Sequence, residues 1–201
     1  MRSLVRNLLT VVFFIVTAPL WLCTLAARKL GCGDGAFVAF GQLLSLCPGL
    51  LGVFLRRAYY VMTLESCALD VGIGFGTWFS KSQVRIEPRV SIGAHCLIGS
   101  CEIGSGALLG SNIDVLSGRR QHSTASEDRT DEPAHFEQIC LGRNVWVGNR
   151  AVIMACVGDH AVVGAGSIVV KPISPRTTAV GNPAREVCRT SGETREVASL
   201  S

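Results

Sequence analysis

Hydrophobic residues are distributed in two different ways along this chain. From Leu8 to Ala27 there are 20 residues without a charge, bracketed by Arg2 and Arg6 before and by Arg28 and Lys29 after. A helix of that length spans a hydrocarbon core of about 30 Å. A second uncharged run of 20 residues, Ala36 to Leu55, ends at Arg56 and Arg57. Pro48-Gly49 inside it predicts a break or kink. After residue 66 the long apolar runs stop, and short segments punctuated by Gly take over.

In that second region the aliphatic anchors keep a period. They run Ile86, Ile92, Ile98, then Ile103, Leu109, Val115, and after a polar interruption Leu141, Val147, Ile153, then Val157, Val163, Val169. Most steps are six residues, with five from Ile98 to Ile103 and four from Ile153 to Val157. Gly follows the anchor at eight of these twelve positions, where random placement of 22 Gly in 201 residues gives about one. A sandwich of short strands predicts alternation of period two, not a shared six-residue phase on both sides of an interruption. The period predicts a parallel β-helix: each hexapeptide supplies one short strand with its aliphatic residue inward, and Gly relieves crowding or permits unusual backbone angles at the bend. The expected organisation is an apolar helical region over 1–60, the repeat domain over 61–188 with a loop insertion at 117–138, and a tail over 189–201.

The apolar runs admit several readings: a cleaved signal peptide, a transmembrane hairpin, buried helices capping the repeat, or two helices lying in the cytoplasmic leaflet. The last is preferred, because all three basic clusters then face anionic headgroups. A hairpin would place Arg28 and Lys29 outside, against the positive-inside tendency.

Composition narrows the function. The formal charge is +4 and the basic residues form no long stripe, with few aromatics between them, which argues against nucleic acid. Nine cysteines without a CxxC pair argue against a disulfide framework or zinc knuckle, and Cys96, Cys101 and Cys156 read as small packing residues of a reducing compartment.

The segments NVWVG, VVGAGSIVVK and GNPAR, in that order after Leu141, resemble the closing coils of hexapeptide-repeat acyltransferases, over roughly residues 86–188. PGLLGVFLRRAYY and the apolar runs before it resemble a subgroup of membrane-associated bacterial polysaccharide O-acetyltransferases. The resemblance implies a left-handed β-helix, a homotrimer, and acetyl-CoA lying between neighbouring β-helices. It implies direct attack of an acceptor hydroxyl on the thioester, with no covalent intermediate, no metal, and no nucleophilic cysteine. The expected acceptor is a sugar of a polysaccharide or lipid-linked glycan, at the cytoplasmic face of the bacterial inner membrane.

The interruption SGRRQHSTASEDRTDEPAHFEQ is where a functional loop is expected on a regular scaffold. It holds His122 and His135. Acetyl transfer to a hydroxyl needs a base of near-neutral pKa and donors for the oxyanion. His122 falls where similar proteins place the catalytic histidine, whereas His135 reads as structural or solvent-facing. Asn112 is a candidate acceptor ligand or a corner residue tolerant of left-handed geometry, and His95 lies near the family's upstream polar partner. For acetyl-CoA the resemblance carries over onto Trp146, Asn149, Ala165, Lys171 and Arg185, the last two toward the phosphates and adenine end. Trp146 reads equally as a packed aromatic, and Val170 departs from the Thr common in relatives. Two other functions fit a β-helix: a non-enzymatic trimeric scaffold, and a zinc-dependent carbonic anhydrase with three converging histidines. The spacing of His95, His122, His135 and His160 does not resemble the latter.

Overall fold

The computed structural model describes residues 2–117 and 138–187, with side chains from residue 11 onward. Three helices precede a parallel β-solenoid: α1 (Arg2–Lys29), α2 (Gly35–Ser45) and α3 (Gly49–Thr63). Pro48, extended at φ −79° and ψ 166°, separates α2 from α3, as its ring requires.

The solenoid winds in coils of three short strands. Coil one holds β1 (Ser66–Cys67), β2 (Gly72–Ile73) and β3 (Trp78–Phe79); coil two β4 (Val84–Ile86), β5 (Ser91–Ile92) and β6 (Leu97–Ile98). Coil three holds β7 (Cys101–Ile103), β8 (Leu108–Leu109) and β9 (Asp114–Val115); coil four β10 (Ile139–Leu141), β11 (Trp146–Val147) and β12 (Val152–Ile153). Coil five begins at a bridge on Val157 and continues through β13 (Val162–Val163) and β14 (Ile168–Val169). The chain then passes Ile173 into β15 (Thr178–Gly181), and β16 (Ala184–Val187) folds back on it antiparallel.

Stacked coils make three sheets, ordered β1-β4-β7-β10, β2-β5-β8-β11-β13-β15-β16 and β3-β6-β9-β12-β14. Their registers line up the inward residues in three columns. These are Cys67, Ile86, Ile103, Leu141, Val157 and Ile173 in sheet one; Ile73, Ile92, Leu109, Val147, Val163 and Ala179 in sheet two; and Phe79, Ile98, Val115, Ile153 and Val169 in sheet three. Every anchor of the six-residue period falls in one of these columns. The solenoid also starts one coil earlier than that period, at Ser66.

Within a coil, each step from sheet one to two and from two to three is six residues in the paired register. The return from sheet three to sheet one absorbs all variation: seven residues from Phe79 to Ile86, five from Ile98 to Ile103, and four from Ile153 to Val157 and from Val169 to Ile173. The described residues on either side of the polar insertion, Ser117 and Gln138, also fall at this third corner, between Val115 and Leu141.

The first and second corners are held by left-handed residues. Arg89, Gly106, Asn144, His160 and Arg176 form one column, and Gly76, His95, Asn112, Arg150 and Gly166 the other, with φ between 52° and 72°. The glycines that directly follow the anchors have no positive φ. Of the two roles expected for them, relief of crowding is the one realised: a Cβ on Gly93 would sit 2.5 Å from the Gly110 carbonyl oxygen of the next coil.

The open end of coil one is closed by α2 and α3. Phe37, Leu44, Tyr59 and Tyr60 are buried there with Phe79, and the Tyr60 and Phe79 rings meet edge-on at 4.5 Å. The second apolar run is therefore a cap on the solenoid core. Arg56 does not face headgroups: it is fully buried, donating from Nε to the Ile73 carbonyl at 3.0 Å and from Nη1 to the carbonyls of Leu44 and Cys47 at 3.1 and 2.7 Å. A helix leaves its last carbonyls unpaired, and a cation placed there satisfies them. Arg28 is likewise engaged, bonded to the Thr63 carbonyl and to Asp34 at 3.3 Å. Among the cysteines, Cys96 and Cys101 are buried, while Cys156 is half-buried and its Sγ accepts from the Cys140 amide at 3.2 Å.

Candidate active site

The second corner carries most of the expected site residues, because successive coils repeat the same bend. His95 and Asn112 occupy its left-handed position in coils two and three. Their amides donate to the carbonyls of Phe75 and Ala94, each at 2.8 Å, so the column is stitched rung to rung. The His95 ring packs edge-on against Phe75 at 5.3 Å and covers Gly76, where a Cβ would collide with its Nδ1. Both Asn112 readings thus remain together: its backbone makes the corner, and its side chain lies on the outside of the coil.

One residue before each left-handed position runs a parallel column, Ala94, Ser111, Asn149 and Ala165. The Ala94 amide donates to Ser111 Oγ at 3.1 Å, and the Ser111 amide to Asn149 Oδ1 at 2.8 Å. The ladder ends at Ala165, whose methyl offers no acceptor. The amides of Asn149 and Ala165 make no hydrogen bond to another described residue. Trp146 stands outward on sheet two between Leu108 and Val162, 58% exposed.

Lys171 and Arg185 lie on different parts of the fold. Lys171 lies two residues past Val169 at the third corner, across sheet three from Ala165. Arg185 is on β16, opposite Val180, and donates to the Ala184 carbonyl at 3.2 Å. Both are exposed. His122 and His135 lie outside the described residues. His95 and His160 sit at different corners three coils apart, and among the described residues no group of three His, Cys, Asp or Glu is placed to hold a metal.

A feature not anticipated from the sequence is a groove of about 590 Å³ on the outer face of sheet one, lined by Arg85, Glu102, Cys140, Arg143 and Asp159 among others. Its charges pair across rungs: Arg85 bridges Glu65 and Glu102, and Arg143 Nη2 meets Asp159 at 2.8 Å. The Arg143 amide, then its guanidinium, hold the Asp159 carboxyl below the usual range. The signal was available one residue before the anchors Ile86 and Ile103, where outward positions carry opposite charges.

The coil stack is a fold that known proteins share. Galactoside O-acetyltransferase of Escherichia coli (strain K12) is 36% identical over 88 residues, 42% of each chain. Among solved structures, a maltose O-acetyltransferase from Clostridium difficile 630 superposes with a TM-score of 0.68 at 22% identity, covering 75% of this chain and 83% of that one. A hexapeptide-repeat-containing acetyltransferase from Vibrio cholerae O1 biovar eltor, complexed with acetyl coenzyme A, gives 0.66 at 20% identity, covering 75% and 84%. No family model matches the chain. The fold is that of the hexapeptide-repeat acetyltransferases, and the relatives and structural neighbours of the chain are such enzymes. The chain spans about two fifths of the length of the galactoside enzyme it matches.

Proposed function

We propose that this protein is an acetyl-CoA-dependent O-acetyltransferase that acetylates a sugar hydroxyl of a bacterial polysaccharide or lipid-linked glycan precursor at the cytoplasmic face of the inner membrane. The observation that carries the reading is the axial order of the candidate residues. His95 is on coil two, Asn112 on coil three, Trp146 and Asn149 on coil four, Ala165 and Lys171 on coil five, and Arg185 on the closing hairpin. With rungs about 4.8 Å apart, the acceptor residues and the cationic end are separated by roughly 15 Å, a length suited to an extended pantetheine arm. In this arrangement the free amides of Asn149 and Ala165 donate to the arm, Trp146 covers it, and Lys171 and Arg185 meet phosphates.

His122 takes the proton of the acceptor hydroxyl as its oxygen attacks the thioester carbonyl; the tetrahedral intermediate collapses and coenzyme A leaves with the sulfur. Asn112 and His95 orient the acceptor. One protomer places its loop at the third corner and these two residues at the second, so a homotrimer, in which a neighbour's loop completes each site, fits the separation.

The test is calorimetric titration of the detergent-purified protein with acetyl-CoA, comparing wild type, Lys171→Ala and His122→Ala. Saturable binding that weakens in Lys171→Ala and survives in His122→Ala supports the reading. No binding at millimolar acetyl-CoA by folded, trimeric protein rejects it in favour of a scaffold.

A further inference from the structure

The outermost layer is α1, and its segment from Phe13 to Arg28 is fixed on α3. Phe13 stacks on Phe54 of α3 at 5.2 Å, Thr24 Oγ1 meets Tyr59 Oη at 3.0 Å, and Arg28 reaches the Thr63 carbonyl. Beneath it, α2 and α3 are pinned across coil one: Gly76 donates to the Ser45 carbonyl at 2.8 Å, Ser82 to Asp34 Oδ2 at 3.0 Å, and Arg56 to Ile73. From Phe13 to Arg28 the helix therefore lies along α3 over the end of the solenoid.

Between Val11 and Ala26 its exposed side is apolar. Val11, Val12, Ile15, Val16, Pro19, Leu22, Cys23, Leu25 and Ala26 are exposed, and the only hydroxyls in this stretch, Thr17 and Thr24, are buried and bonded back to the Phe13 and Leu20 carbonyls. The α2–α3 turn adds Leu43, Leu46, Leu50 and Leu51, all more than half exposed. The exposed positions of α1 between Val11 and Ala26 cover about half its circumference, wider than the seam by which one helix packs on another. No acidic residue precedes Asp34, which pairs with Arg28, while Arg2, Arg6 and Lys29 flank the apolar stretch. Width and charge together select a leaflet with anionic headgroups over a second copy of the chain.

We infer that α1 lies in the plane of one leaflet without crossing it, and that the solenoid stands on the membrane with its axis along the normal. The inference rests on the proposed membrane-associated acetyltransferase and deepens it by restricting the substrate. Coil two is then the rung of the site nearest the lipid. Two helical layers of about 8–10 Å each put His95 roughly 15–20 Å above the headgroups, and Ala165 a further three rungs, about 14 Å, out. The acceptor end faces the bilayer and the nucleotide end faces bulk water. A hydroxyl on a lipid-anchored glycan, held at fixed height, meets this geometry; a freely diffusing sugar gains nothing from it.

The test uses the full chain with Cys32, Cys140 and Cys188 replaced by Ser, leaving Cys23 as the exposed thiol among the described residues, in vesicles of phosphatidylcholine and phosphatidylglycerol. A fluorescent maleimide on Cys23 is expected to be quenched more strongly by a shallow than by a deep doxyl lipid. In a parallel Ser3→Cys variant with Cys23 also replaced by Ser, a membrane-impermeant reagent is expected to label residue 3 from the same side as the solenoid. Labelling of residue 3 from the opposite side means that α1 spans: the in-plane inference falls and the membrane reading survives. Failure of the protein to float with the vesicles sinks both, while leaving the acetyl-CoA titration to judge the enzyme by itself. Val12→Asp together with Ile15→Asp is expected to lower flotation at least tenfold with the acetyl-CoA affinity unchanged; an unchanged flotation overturns the inference.

Discussion

Asn149 caps Ser111 from the next coil, its Oδ1 accepting the Ser111 amide at 2.8 Å. The Oδ1 of Asn149 is thus engaged by the scaffold, and its backbone amide makes no hydrogen bond to another described residue. Asn149→Ala is expected to cost about 0.5–1 kcal/mol of stability, the range of one solvent-exposed hydrogen bond, and to change acetyl-CoA affinity less than threefold. Asn149→Ser, with a hydroxyl like that of Ser111, is expected to recover most of the loss. Thermal unfolding beside calorimetry separates these effects; a large affinity loss at unchanged stability would show the side chain itself in the site.

Arg56 is a buried cation whose acceptors are all carbonyls. Burial lowers its pKa from the ordinary guanidinium value, yet the carbonyls at the end of α2 keep the charged form in place. Arg56→Met leaves the oxygens of Leu44, Cys47 and Ile73 without this donor and is expected to destabilise by about 3 kcal/mol or more. For a chain of this size that is a fall of roughly 6–12 °C in Tm. A drop below 2 °C would mean that the cap is held without it.

Gly93 is expected to be intolerant of the smallest side chain. A methyl group there meets the Gly110 carbonyl carbon at 2.6 Å as well as its oxygen, both backbone atoms that cannot rotate away. Gly93→Ala should cost about 1–3 kcal/mol through overpacking. Gly33, at φ 58° with open space around it, offers a contrast in which only the backbone angle opposes the change. Parallel urea titrations of the two variants would show whether contact or conformation dominates.

The pH dependence of the sheet-one face follows from Asp159. Its pKa is depressed by the amide of Arg143 first and by its guanidinium second. A depressed carboxyl contributes stability above its unfolded value and loses it as pH falls through the folded one. No change is therefore expected from pH 7 to 5, with the loss confined to the acid side of the usual Asp range. Arg143→Ala should move the Asp159 midpoint up only part of the way, because the amide remains. Carboxyl-carbon NMR titration reads this directly, and a full return to the unperturbed value would contradict the order of causes.

The solenoid was legible because its anchors are aliphatic and its crowded bends demand Gly. Coil one escaped that pattern: Cys67 and Phe79 stand where the other coils carry aliphatics, and only Ile73 of its three anchors is followed by Gly. The cap was ambiguous for a different reason. A run such as Gly35–Ser45 is apolar on all sides, and only the open end of coil one, distant in sequence, decides that Phe37 and Leu44 turn to protein. Arg56 was misread as a headgroup contact because a flanking charge and a buried staple look alike until the carbonyls around them are known. Asn149, Ala165 and Trp146 were placed by motif, but the rung-to-rung ladder that frees two amides is a product of stacking. His122, on which the proposed proton transfer depends, rests on sequence alone.

Confining every irregular step to the third corner leaves the molecule with two rigid seams and one permissive one. Chain length can change between sheet three and sheet one without disturbing the phase of any inward residue, since the next coil re-enters its column at the same point. The inserted segment after Val115 is one use of that freedom. The shorter returns after Ile98, Ile153 and Val169 are further doors in the same wall, each opening at a different height above the capped end. Diversification of such a scaffold can therefore proceed by lengthening one edge while the inward columns of side chains stay as they were.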